Sequence, residues 1–107
     1  MARPPKYTID YVAEVYEHLD FIESKYHRLI ATAIRLQLSH TPKTRTRNRK
    51  LLEEPVSFCA TWELRFGSHN AFRVFYEVAD AEHVVTILAI GIKEGNRLFI
   101  GGQEFVL

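Results

Sequence analysis

The sequence predicts one α+β domain over residues 1–107, in which an N-terminal strand and a two-helix hairpin pack on an antiparallel sheet. Two segments carry apolar residues at spacings of three and four, which is typical of helices with one buried face. Two later segments alternate strictly between apolar and polar residues, and a third is almost wholly apolar. Those three segments predict strands, so the order is β-α-α-β-β-β. A chain of 107 residues with 47% hydrophobic content is long enough for one core only.

The N-terminal part predicts a strand over residues 6–9 followed by two helices. Asp10 stands where a helix-capping residue is expected. The first helix then presents one apolar face, formed by Val12, Val15, Tyr16, Leu19 and Ile22. A break at Ser24-Lys25 separates it from a second helix over about 26–39, whose apolar set is broader: Leu29, Ile30, Ala33, Ile34, Leu36 and Leu38. One continuous helix is the alternative, but a lone helix of that length could not bury its apolar stripe in so small a domain.

The C-terminal half predicts the sheet. Trp62, Leu64 and Phe66 alternate with polar residues, and so do Phe72, Val74 and Tyr76 after the polar turn Gly67-Ser-His-Asn70. These two segments predict a β-hairpin. The run from Val84 to Ile92 is apolar and rich in β-branched residues, which is typical of a strand buried on both faces. It is therefore expected at the centre of the sheet.

The register of the hairpin determines where its charges lie. The large apolar residues share one face only if the turn has an odd number of residues, and Arg65 then lies directly opposite Arg73 on the other face. Like charges opposed in a sheet are destabilising, so the pair is expected to bind an anion. That anion is either an external phosphate or an internal carboxylate, Glu63 or Glu77. Lys93 joins the same face if the next turn is also odd.

Charge is distributed unevenly although the net charge is only +1. Five acidic residues and no Lys or Arg lie between Asp10 and Glu23, whereas eight Lys or Arg and no acid lie between Ser24 and Leu52. The segment Lys43–Lys50 alone places five cations in eight residues. Such a run is either a solvated loop or a contact for a polyanion such as a phosphate backbone.

Other kinds of site have little support in the sequence. The five histidines lack metal-ligand spacing, and the single cysteine, Cys59, excludes a disulfide framework and a cysteine-based zinc site. We therefore expect no metal and no cofactor. A lone cysteine also fits a reducing, cytoplasmic setting. No segment has the length and apolarity of a membrane span, so no membrane contact is expected.

Four pieces of the sequence, in their order, resemble the RelE/ParE toxin superfamily of type II toxin–antitoxin systems, in its RelE-like branch. The pieces are Asn48-Arg-Lys-Leu51, Trp62-Glu-Leu-Arg-Phe-Gly67, Phe72-Arg-Val-Phe-Tyr-Glu-Val78 and Val84-Val-Thr-Ile-Leu-Ala-Ile-Gly-Ile-Lys93. The resemblance implies a toxin with a cognate antitoxin, acting as a ribosome-associated, metal-independent endoribonuclease that cleaves mRNA and represses translation. It leaves two alternatives open: a ParE-like gyrase inhibitor, and a binding-only member that has lost catalysis.

The resemblance also implies a set of site residues. Arg73, Arg65 and Lys93 match basic positions of the family's sheet, whereas Glu63 stands where well-known members have lysine. Since some relatives use a glutamate as the base, Glu63, Glu53 or Glu54 is expected in that role. The resulting catalytic set is Arg65, Arg73, Lys93 and Glu63. Phe99 stands where some members have a catalytic tyrosine. The expected RNA-binding set is Arg45, Arg47, Arg49, Lys50, Arg97 and Phe99.

Overall fold

Two short helices precede most of the strands in the computed structural model, which describes residues 5–52 and 60–106. The elements in chain order are β1 (Thr8–Tyr11), α1 (Glu14–Asp20), α2 (His27–Leu38), β2 (Arg49–Leu51), β3 (Trp62–Phe66), β4 (Phe72–Ala79), β5 (Val84–Glu94), β6 (Arg97–Ile100) and β7 (Gln103–Phe105). Short 3₁₀ turns cover Ser24–Tyr26 and Ser68–Asn70. The predicted α+β fold is confirmed, and β2, β6 and β7 are strands that the sequence pattern did not reveal.

The strands of the described residues form a single sheet in the order β2-β3-β4-β5-β6-β7. All neighbours on this path are antiparallel. The long strand β5 lies at the centre, as its apolar run predicts. Strand β4 follows one of its edges, while β1 and β6 share the other edge, β1 running parallel to β5. Between those two partners a short stretch of the β5 edge has no strand from the described residues beside it.

The helices cover one face of this sheet, here called the helix face. Ile30, Ile34 and Leu38 of α2 and Val15 of α1 are buried there. They pack against the large residues of the hairpin and of β5: Trp62, Leu64, Phe72, Val74, Tyr76, Val85, Ile87 and Ile90. Only one narrow stripe of α2 is buried, because a helix lying on a flat sheet presents a single row to it. Leu29 and Leu36 are therefore exposed, contrary to the broader buried set predicted.

The start of the first helix was also predicted wrongly. Asp10 is a strand residue of β1 opposite Thr86, and α1 begins at Glu14 after Ala13, which makes no side-chain capping bond. Glu14 and Glu17 lie in the first turn instead, where carboxylates interact favourably with the positive end of the helix dipole. The predicted break between the helices is confirmed by the 3₁₀ turn at Ser24–Tyr26.

The opposite side of the sheet carries the charged residues, and we call it the arginine face. One end of it holds a small apolar cluster formed by Ala60, Phe75, Ala89 and Leu98. Glu63, Arg65 and Arg73 lie on the same side, because side chains alternate along a strand. The fold thus separates a helix-covered apolar face from a face that presents charge.

Candidate functional site

The β3–β4 hairpin places two arginines directly opposite each other. The register pairs Trp62 with Tyr76 on the helix face and Arg65 with Arg73 on the arginine face. The five residues between the strands form an odd turn, as predicted. Its backbone turns sharply: Gly67, His69 and Asn70 all have positive φ angles. The predicted opposition of the two arginines is confirmed.

A buried carboxylate compensates this pair of like charges. Glu63 is fully buried, and its Oε1 accepts a hydrogen bond of 2.8 Å from Nε of Arg65. Its Oε2 lies 3.7 Å from Nη1 of Arg73, and its Oε1 lies 3.8 Å from Nζ of Lys50 on strand β2. We call these four residues the Glu63 cluster. It contains three cations and one anion, so the internal carboxylate neutralises one positive charge and leaves a formal excess of +2.

The three cations of the cluster differ in how much solvent they reach. The side chain of Lys50 is 55% exposed and that of Arg65 is 34% exposed, whereas that of Arg73 is 8% exposed. Arg73 also donates its Nε–H to the carbonyl oxygen of Asn70 at 3.1 Å. Burial lowers the pKa of Arg73, as does the neighbouring Arg65, while Glu63 raises it. Arg73 is therefore largely closed off from solvent, whereas Lys50 and Arg65 form the accessible part of the cluster.

Lys93 reaches the arginine face by a route that differs from the one expected. The turn between β4 and β5 has four residues, an even number, and would by itself turn Lys93 to the helix face. A β-bulge in the middle of the strand pair shifts the register by one residue at Leu88, so that Gly91 lies opposite Arg73. Lys93, two residues further on, is therefore on the same face as Arg73.

Lys93 lies close to Arg73, and its amine has no carboxylate partner among the described residues. It lies diagonally from Arg73, which in an antiparallel pair corresponds to roughly 7–8 Å between the backbones. Its backbone N–H donates to the carbonyl oxygen of Ala71 at 2.7 Å, which fixes the end of the strand. Within the described part of the chain the Lys93 side chain makes no ion pair, whereas Lys50 lies beside Glu63.

The predicted basic run divides into exposed and buried members. Arg45 and Arg47 are exposed. Arg49 is buried on the helix face, because it pairs with Leu64 in the β2–β3 register. Its guanidinium donates to the carbonyl oxygens of Thr41 and Thr44 and, at 2.9 Å, to Oε1 of Gln37. The assignment of Arg49 to an RNA surface was therefore wrong: its charge ties the loop to α2.

Arg97 and Phe99 are also separated from the Glu63 cluster. The two-residue turn between β5 and β6 pairs Arg97 with Glu94 and Phe99 with Ile92, which turns both side chains to the helix face. Phe99 lines a cavity of about 140 Å³ together with His18 of α1 and Phe21 just after it, and Arg97 forms an ion pair of 3.5 Å with Glu104. Neither residue therefore belongs to the Glu63 cluster, and their assignment to RNA binding stays a prediction.

Two further properties concern the described residues only. They contain no group of three or more His, Cys, Asp or Glu side chains that could hold a metal ion. No helix among them is long and apolar enough to cross a membrane. The expected alternatives for the base, Glu53 and Glu54, and the lone Cys59 lie outside the residues that the structure describes.

Comparison with solved structures identifies a protein of similar fold. No protein-family model matches the sequence, and no curated protein matches it in sequence. One chain of the crystal structure of the toxin–antitoxin complex RelBE2 from Mycobacterium tuberculosis superimposes with a TM-score of 0.68 at 20% identity, over 83% of this chain and 93% of that chain. This chain has the RelE-like fold. The fold expected from the four sequence pieces is thereby confirmed, with its two helices on an antiparallel sheet.

Proposed function

We propose that this chain is the toxin of a type II toxin–antitoxin system and that it cleaves mRNA on the ribosome without a metal ion. The observation that carries the proposal is the Glu63 cluster, in which Lys50, Arg65 and Arg73 converge within 4 Å of one carboxylate and keep a net positive charge. The RelE-like fold supports the toxin part, because its structural relative comes from a toxin–antitoxin complex. Arg65 and Arg73 lie opposite each other on the arginine face, and such paired cationic donors favour binding of a phosphate.

The chemistry of RNA cleavage fits the distribution of charge on the arginine face. The 2′-hydroxyl loses its proton and its oxygen bonds to phosphorus, while the 5′-oxygen leaves and takes up a proton. Negative charge grows on the phosphate during this step. Arg65 and Lys50 reach solvent and would contact that charge directly, and Arg73 would add to the positive potential from behind.

Lys93 is the residue that we assign to the proton transfer. Glu63 was the other candidate base, but its carboxylate is fully buried and held between cations, so it cannot reach a ribose from this position. The amine of Lys93 lies on the same face without a carboxylate partner among the described residues. We therefore assign charge stabilisation to the two arginines and Lys50, and proton acceptance to Lys93.

The partner that controls such an activity would be a cognate antitoxin. An acidic segment could cover the surface formed by the exposed cations Arg45, Arg47 and Lys50 and the partly exposed Arg65. The same surface would meet the mRNA phosphate backbone when the antitoxin is absent. We therefore propose that the protein acts on mRNA at the ribosome, in the cytoplasm.

Sequencing of RNA ends after brief expression tests the proposal. We expect growth arrest together with new 5′ ends in translated mRNA for the wild-type chain, and neither for Arg65→Ala. The matched control is Arg97→Ala, which removes the same charge from the helix face and should keep both effects. Growth arrest without new RNA ends would favour the gyrase-inhibitor alternative. RNA binding without arrest or cleavage would favour a binding-only protein.

A further inference from the structure

The fully buried carboxylate at the centre of a cationic surface is the unusual feature of this site. Glu63 cancels one of three positive charges, and a phosphate would be bound more strongly without it. Because it is closed off from solvent, it cannot take part in proton exchange with a substrate. A carboxylate that weakens the attraction for phosphate and cannot touch it must act on its neighbours.

The contacts of Glu63 show what it does to those neighbours. Arg65 directs its Nε–H to Oε1 of Glu63 at 2.8 Å, while within the described residues its two terminal nitrogens make no hydrogen bond. Those terminal nitrogens are the part of a guanidinium that forms a paired contact with phosphate. Arg73 donates its Nε–H to the carbonyl oxygen of Asn70, and its Nη1 lies 3.7 Å from Oε2 of Glu63, an ion pair without a hydrogen bond. Glu63 thus fixes the Nε edge of Arg65 by a hydrogen bond and attracts Arg73 by its charge.

We propose that Glu63 is a positioning residue that orients the guanidinium groups of Arg65 and Arg73 for a phosphate in the transition state. This inference rests on the proposed nuclease function and assigns Glu63 a role within it. A residue in this role has opposite effects on RNA binding and on the rate of cleavage. It reduces the attraction of the surface for RNA in the ground state, and it raises the rate by keeping the donors in place.

The Glu63→Gln variant separates the two effects. It retains the shape and one acceptor oxygen but removes the charge. We expect kcat for cleavage of a short RNA to fall by at least about tenfold, because a neutral amide holds the two guanidinium groups more weakly than a carboxylate does. The KM should stay constant or fall, and the salt dependence of log K should steepen by roughly 0.7, since one more cation is available to phosphate.

The matched control is Glu77→Gln. Glu77 is exposed on the same face of β4, opposite Thr86, and within the described residues it makes no ion pair with the arginines. Its replacement removes the same charge without changing the Glu63 cluster, so kcat should change by less than about twofold. A purely structural role for Glu63 would lower the folded fraction and leave KM and kcat of the folded protein unchanged, which would overturn the proposal. An equal fall of kcat in both variants would overturn it as well.

If Glu63→Gln does not fold, an NMR measurement on the wild-type protein tests the positioning role of Glu63 instead. In the wild-type protein the Nε–H of Arg65 should give a resolved ¹H–¹⁵N signal that exchanges slowly with water, and inorganic phosphate should shift it. A signal that exchanges as fast as in free arginine would overturn the proposal. Wild-type protein that neither binds nor cleaves RNA would contradict the proposed function instead, while the ordered Arg65 signal would still report on the role of Glu63.

Discussion

Arg65 and Arg73 lie directly opposite each other in neighbouring antiparallel strands, and the buried carboxylate of Glu63 contacts both. Like charges in this position destabilise a sheet by a few tenths to about 1 kcal/mol. The carboxylate offsets that repulsion by lying between the two guanidinium groups. Because the offset is internal and partial, the surface remains positive while each arginine is held in place.

The first prediction concerns Arg65, the more accessible arginine of the pair. Arg65→Ala should lower the rate of RNA cleavage by about 10²–10³, the usual effect of removing one charge-stabilising donor. It should also lower the free energy of unfolding by about 1–2 kcal/mol, because the buried carboxylate of Glu63 loses its hydrogen bond from Arg65. Relief of repulsion alone would instead raise stability. Cleavage assays and urea unfolding measure the two effects, with Arg97→Ala as the control. Full cleavage by Arg65→Ala would contradict the assignment.

The hairpin could be predicted from the sequence because its register depends only on its two strands and the turn that joins them. Trp62, Leu64 and Phe66 must share a face with their partners, and an odd turn then places Arg65 opposite Arg73. The face of Lys93 could not be derived in the same way. It depends on a bulge at Leu88, and an uninterrupted apolar run does not reveal a shift of one residue.

The errors at Arg49 and Phe99 have different causes. Arg49 is one of five cations in a run, and nothing in composition distinguishes the member that turns inward to meet backbone carbonyl groups. Phe99 was assigned by resemblance, without a register for β6. The two-residue turn at Gly95-Asn96 determines that register, because it pairs Glu94 with Arg97 and therefore Ile92 with Phe99.

The second prediction is that Arg49 stabilises the fold. Arg49→Gln should lower the free energy of unfolding by about 3 kcal/mol, because the hydrogen bonds of its charged guanidinium group are each worth about 1.5–3 kcal/mol. Arg47→Gln is the matched control: Arg47 is exposed in the same loop and should leave stability within about 0.5 kcal/mol. Chemical denaturation of both variants measures the difference. Equal stabilities would show that the contacts of Arg49 with Thr41, Thr44 and Gln37 contribute nothing.

The third prediction tests whether the exposed part of the basic run binds RNA. Replacing Arg45 and Arg47 together by Gln should weaken binding to all RNA sequences alike. It should also flatten the dependence of log K on log salt by roughly 0.7 for each phosphate that the variant no longer neutralises. Fluorescence anisotropy with two unrelated short RNAs over a salt series measures both quantities. Unchanged affinity and slope would mean that this loop is solvated or serves only a protein partner.

The fourth prediction concerns His18, which closes the gap in the β5 edge between β1 and β6. Its Nδ1 accepts the backbone N–H of Ile90 at 3.3 Å. Burial lowers the pKa of His18, while Glu17 and Glu14 oppose that shift. The unfolded chain therefore binds a proton first as the pH falls below about 6.5, and the free energy of unfolding decreases from there down to the folded pKa. Above that pH the contribution is fully present.

His18→Gln provides the comparison, because glutamine offers an acceptor oxygen and does not titrate. Unfolding curves at about pH 7.5 and about pH 5.5 should show a smaller loss of stability in the variant than in the wild-type protein. The protection factor of the Ile90 amide against hydrogen exchange should decrease in the wild-type protein as the pH falls over the same interval. A wild-type stability that falls no more than that of His18→Gln would contradict the role of this histidine.

The last prediction tests whether Phe99 has the catalytic role that the family resemblance implies or is kept from the site by its position in the structure. If this position acted like the catalytic tyrosine of some relatives, Phe99→Tyr would restore a hydroxyl and raise cleavage. The structure turns Phe99 to the helix face, where it lines a cavity with His18 and Phe21, on the opposite side of the sheet from Arg65. A hydroxyl added there faces α1 and cannot approach a phosphate on the arginine face. We therefore expect the cleavage rate of Phe99→Tyr to stay within about twofold of the wild type. Single-turnover kinetics on the same short RNA measures this, and a rise of about tenfold or more would place Phe99 at the scissile bond and contradict the register of β6.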